Sequence, residues 1–141
     1  MKERSKLSVR PKKATMAVVA LALLALTAGV ALGAAPKPNG LYSGAVTAHG
    51  YVLKVEVHVA ASGKTATARF YCNGTTISSS PQDNAKFPIT NGTFSGQTQF
   101  KIYGVSGSFT TASSAKATLR VQGSCSTAAV ANYKLTLRLS G

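Results

Sequence analysis

Glu56 and Asp83 are the only carboxylates after residue 35, so acid–base chemistry in the body of the chain would have to use one or both. Paired-carboxylate hydrolysis needs two such groups to converge on one bond. Glu56 lies inside an alternating segment and Asp83 in a polar stretch over residues 78–84, a spacing that gives no reason for them to meet. Glu56 and His58 project from the same side of an extended segment, because side chains there alternate with period two, and His49 precedes them at a turn. These are metal-ligand types, but alternate outward strand positions are also where solvated polar side chains belong, so no metal and no cofactor is expected. A Ser-His-Asp site would need Asp83, and no Gly-x-Ser-x-Gly elbow accompanies it. Gly104-Val105-Ser106-Gly107 is too short for a phosphate loop, and no helix pattern follows it. The expectation is a noncatalytic domain. The alternative is a small hydrolase using Glu56 or Asp83 with a histidine.

Charge is the stronger signal. The 141-residue chain carries a formal charge of +13. Lys2, Arg4, Lys6, Arg10, Lys12 and Lys13 oppose only Glu3 near the start; the ten basic residues after residue 35 oppose only Glu56 and Asp83, which leaves +8 there. These later charges are spaced singly, as outward strand positions would space them, and no run of adjacent Lys and Arg marks a nucleic-acid segment.

The elements that would position these residues begin after a targeting segment. Residues 16–35 are uncharged and rich in Ala and Leu, and they follow the basic stretch in the order of a secretory signal. Small residues at Ala31 and Gly33 offer a cleavage site, whereas twenty apolar residues also suffice to span a hydrocarbon core of about 30 Å. Residues 1–35 are therefore read as a signal peptide or a signal anchor. Under either outcome residues 36 onward are expected outside, secreted or held by an uncleaved N-terminal helix. Membrane contact is expected only through residues 16–35.

Residues 36–40, with Pro36, Pro38 and Gly40, read as a linker. Beyond it no stretch keeps helical periodicity, and period-two alternation recurs over residues 51–60, 64–72, 114–125 and 133–140. Weaker strands are expected over residues 41–48, 76–79, 86–90, 97–103 and 107–111, separated by turn pairs such as His49-Gly50, Asn73-Gly74 and Asn91-Gly92. The predicted fold is all-β: a small antiparallel β-sandwich or barrel of about eight strands, one domain over residues 41–141. Cys72 and Cys125 share inward parity near strand ends, and in an exported chain they are expected to form a disulfide.

Lys54, Arg69, Lys116, Arg120, Lys134 and Arg138 all fall at outward parity. If their strands adjoin, they make one basic binding face suited to anionic envelope polymers or polysaccharide. Tyr42, Tyr71 and Tyr103 are assigned outward or edge positions where a ring could stack on a sugar.

Asn91-Gly92-Thr93-Phe94-Ser95-Gly96, the stretch Val105-Ser106-Gly107-Ser108-Phe109-Thr110, and Ala117-Thr118-Leu119-Arg120-Val121 followed by Cys125 form a pattern. With Tyr42-Ser43-Gly44 and Cys72, it resembles uncharacterised secreted all-β domains of high-GC Gram-positive bacteria. It departs from them after Cys125, where Ser126-Thr127-Ala128 stands in place of an Asp-Ser-Gly type of sequence. The resemblance implies the β fold and the disulfide, and no activity.

Overall fold

Three two-residue turns organise the chain. His49-Gly50, Asn73-Gly74 and Asn91-Gly92 have φ of 52° and 82°, 50° and 83°, and 52° and 73°. Positive φ at both central positions gives the turn twist that matches right-handed strands, which is why Asn-Gly pairs recur in hairpins. The computed structural model describes residues 32–76, 85–98, 102–123, 125, 126 and 130–140. They carry β1 (Leu41–Ala48), β2 (Tyr51–Val59), β3 (Thr65–Cys72), β4 (Thr75–Thr76), β5 (Ala85–Thr90), β6 (Thr93–Gln97), β7 (Tyr103–Thr111), β8 (Ser114–Gln122) and β9 (Val130–Leu139).

All pairings are antiparallel, and eight strands close on themselves in the order β1-β2-β3-β5-β6-β7-β8-β9, with β9 returning to β1 through Tyr42↔Leu139 and Ser43↔Arg138. β4 is a stub on β3. The fold is thus an up-and-down barrel, in which closure removes exposed edges. Two expected strands are redrawn. Of residues 97–103, Gln97 ends β6 and Tyr103 begins β7, with 99–101 outside the described residues, and residues 107–111 belong to a longer β7; the strand expected over 76–79 lies outside the described residues beyond Thr76.

The barrel interior is filled. Leu53, Val55, Val57 and Val59 of β2 face Ala66, Ala68 and Phe70 of β3 and Leu119 and Val121 of β8 in one buried core. Rings run through it in sequence: Phe87 to Phe94 at 5.8 Å, Phe94 to Phe109 at 5.2 Å and Phe109 to Tyr42 at 5.0 Å between centroids. Phe70 stacks on Tyr103 at 5.7 Å. Tyr42 and Tyr103 are therefore core residues, contrary to their expected outward positions; only Tyr71 of that set faces out. Glycine lines the wall where the packing is tightest. A Cβ at Gly96 would lie 2.1 Å from the Phe87 ring, and one at Gly107 would lie 2.2 Å from the Lys116 carbonyl oxygen on the next strand.

The helix expected over residues 16–35 lies outside the described residues as far as residue 31. Its last positions are not helical: Gly33 N–H donates to the Asn91 carbonyl and Ala34 N–H to that of Phe109. Residues 36–40, expected as a linker, continue across the same barrel end, with Pro36 and Gly40 buried and Lys37 N–H donating to the Tyr42 hydroxyl at 2.8 Å. That hydroxyl in turn donates to the Ala112 carbonyl. At the opposite end Cys72 and Cys125 are joined, with Cα atoms 6.2 Å apart, tying β3 to the segment after β8. Cys125 lies beyond the end of β8 at φ 66°, not on the strand itself.

Two stability outcomes follow. Gly107→Ala drives a methyl group into a backbone carbonyl and is expected to cost about 2 kcal/mol or more, against about 1 kcal/mol for Gly50→Ala, where positive φ is the only obstacle. Urea denaturation ranks the two, and equal losses would contradict the packing account. Reducing the disulfide opens a loop with a sequence separation of 53 and should remove about 4 kcal/mol. Melting with and without reductant measures it.

Candidate functional site

The outward face divides into two charged regions. On β2 and β3, Glu56 sits opposite Arg69 and two positions from Lys54. Lys54 Nζ lies 2.8 Å from Glu56 Oε1, the Tyr71 hydroxyl donates to Oε2 at 2.8 Å, and the Lys54 ammonium stands 5.2 Å from the centre of the Tyr71 ring. Both carboxylate oxygens are thereby engaged. The Lys54 hydrogen bond, aided by Tyr71 and the Arg69 charge, holds the Glu56 carboxyl below its usual range despite partial burial. The same contacts raise Lys54, chiefly through the Glu56 hydrogen bond, and raise Tyr71.

A shallow groove of about 310 Å³ beside this cluster is lined by Leu41, Glu56, His58, Thr67 and Arg69. Glu56 and His58 do share a face, as alternation requires. His49 lies at the β1–β2 turn, about 20 Å from Glu56 by strand rise, and Asp83 lies outside the described residues. Among the described residues no group of three His, Cys, Asp or Glu side chains could hold a metal. A carboxyl kept ionised by an ammonium and a phenol is poorly suited to donate a proton, so the arrangement makes a better surface brace than a general acid.

The second region is uniformly positive. β8 presents Ser114, Lys116, Thr118 and Arg120 outward; β9 places Arg138, Thr136, Lys134 and Asn132 directly opposite them in that order. Each cation faces a neutral polar residue, and the cations alternate diagonally between the strands, with neighbouring positions about 7–8 Å apart. β7 continues the surface with Ser106 opposite Thr118 and Ser108 opposite Lys116. A groove of about 500 Å³ runs here, lined by Ser106, Lys116, Thr118, Lys134 and Thr136. Through Ser106 and Thr118 it meets a second of about 210 Å³, which adds Ser95, Gln97, Arg120 and Asn132. Arg120 also donates to the Gln122 side chain at 3.2 Å.

Of the six cations singled out from the sequence, four therefore share adjacent strands, whereas Lys54 and Arg69 lie beyond β1 beside Glu56. The groove hydroxyls of Ser106, Thr118 and Thr136 were not singled out. Their parity was readable, but every outward Ser and Thr of the barrel shares it, and only strand pairing separates these from the rest. No protein-family model, no curated protein and no solved structure matches the chain.

The lowered Glu56 pKa fixes a sign. A carboxyl whose folded pKa is depressed adds stability above the unfolded value, near 4.3 for glutamate, and loses it as pH falls through the folded value. Glu56→Gln is expected to be less stable than the native chain at pH 7, with the difference vanishing on acidification below pH about 4. Thermal melts from pH 7 to 3 read this directly; a difference that grew in acid would contradict the ion-pair assignment.

Proposed function

We propose that this barrel is an exported, noncatalytic binding module of the cell envelope or extracellular space that holds anionic polymers on the outer face of β8 and β9. The observation that carries the reading is the row Arg138, Lys116, Lys134, Arg120 on paired strands, with no carboxylate among the outward residues of β7, β8 and β9. Like charges brought within about 7–8 Å of one another would repel by about 0.5 kcal/mol per pair even in bulk water. Folding sets them on adjacent strands whose own outward residues include no acid, and a polyanion relieves the repulsion among them. On β2 and β3 the Lys54 charge is already answered by Glu56.

The basic N-terminus followed by an apolar run supports export, and the disulfide is compatible with it. The resemblance to secreted domains of high-GC Gram-positive bacteria points the same way. A filled lumen leaves the outside of the barrel to meet a partner.

Retention of the protein on phosphate-bearing and neutral polysaccharide matrices across a salt series tests the reading. Four contacts at a slope of about −0.7 each imply an affinity loss of about fifty-fold between 50 and 200 mM salt. The quadruple change of Lys116, Arg120, Lys134 and Arg138 to Gln should abolish retention, whereas Lys54→Gln with Arg69→Gln should leave it. Salt-insensitive retention on the neutral matrix alone would overturn the proposal.

A further inference from the structure

We infer that the polymer held on β8 and β9 is a phosphodiester-linked polyol chain with three carbons between successive phosphates. This rests on the polyanion reading above and adds what the register says about charge spacing. Arg138 pairs with Ser114, Lys116 with Thr136, Lys134 with Thr118 and Arg120 with Asn132. One cation therefore appears for every two residues along the paired strands. Two residues of extended peptide contain six backbone bonds and span about 7 Å. A chain built as phosphorus, oxygen, three carbons, oxygen, phosphorus also has six bonds per repeat and, extended, nearly the same length. Each phosphate of such a chain can meet one cation in turn, from Arg138 at one end to Arg120 at the other.

Other polyanions fit less well. Inorganic polyphosphate carries a charge every two backbone bonds, about a third of that spacing, so most of its charges would find no partner on this face. Single-stranded nucleic acid also has six bonds per phosphate, but its binding draws on stacking of bases against aromatic side chains. Among the described residues the outward positions of β6 to β9 are Ser, Thr, Gly, Asn, Gln, Val, Lys and Arg, with no aromatic. What stands between the cations is hydroxyl-bearing: Ser106, Thr118 and Thr136 line the groove together with Lys116 and Lys134. Hydroxyls can donate to phosphate oxygens and exchange hydrogen bonds with polyol hydroxyls, which a base-bearing strand would offer less of.

Titrating the full-length chain with poly(glycerol phosphate), inorganic polyphosphate and single-stranded DNA of equal charge number separates the cases. The expected result is at least about tenfold tighter binding of poly(glycerol phosphate) than of the other two. Its plot of log affinity against log salt should have a slope of about −3 for four contacts, falling by about 1.4 in Lys116→Gln/Lys134→Gln. Lys116→Arg/Lys134→Arg should restore that slope, and matching melts of all variants exclude a folding defect. Equal binding of all three polymers with a common slope would overturn the spacing inference and leave the polyanion reading in place. Tightest binding to DNA would replace it with a nucleic-acid surface, and no binding to any would overturn both readings.

Discussion

The lumen of an eight-stranded barrel is about as wide as the side chains that fill it, and this confinement shapes the rest of the molecule. The run of rings from Phe87 through Phe94 and Phe109 to Tyr42 occupies the space, and Gly96 and Gly107 supply the wall positions where even a methyl group would collide. Tyr42 adds a polar end to this run. Its buried hydroxyl joins Lys37 and Ala112, so the segment before β1 and the turn between β7 and β8 are held by one side chain at the barrel end.

A filled interior sends the charges of the described residues outward, and strand pairing then decides which of them meet. β2 and β3 combine Lys54, Glu56, Arg69 and Tyr71 into a local network whose carboxylate is used up. β8 and β9 set four cations opposite neutral residues, with no acid at the outward positions of either strand. Exposed ion pairs such as the first contribute little to stability, so the contrast between the two regions matters more for what each can bind than for how firmly the barrel folds.

Much of this was legible in the residues. Alternation in β2, β3, β8 and β9 located the strands and their inward faces, and the Asn-Gly pairs located the hairpins, because both signals are local. β6 was missed since Phe94 is its one large apolar residue and Gly96 replaces the next inward side chain, a substitution explained only by the Phe87 ring across the pair. Tyr42 and Tyr103 were expected at outward or edge positions, whereas their rings belong to the core. Barrel and sandwich could not be separated because the deciding contact, β1 with β9, joins the two ends of the ring over only two residue pairs. For the same reason six outward cations read as one candidate face, although β1 lies between the two groups.

The central claim is that the β8–β9 row acts as one surface for a polyanion. Backbone amide shifts of the labelled full-length chain, followed by NMR during addition of poly(glycerol phosphate), locate the contact residue by residue. The account predicts the largest changes over residues 114–120 and 132–138 with neighbouring Ser106 and Ser108, while the positions around Glu56, His58 and Arg69 stay still. Largest changes at Glu56, His58 and Arg69, with the β8–β9 row unmoved, would contradict it.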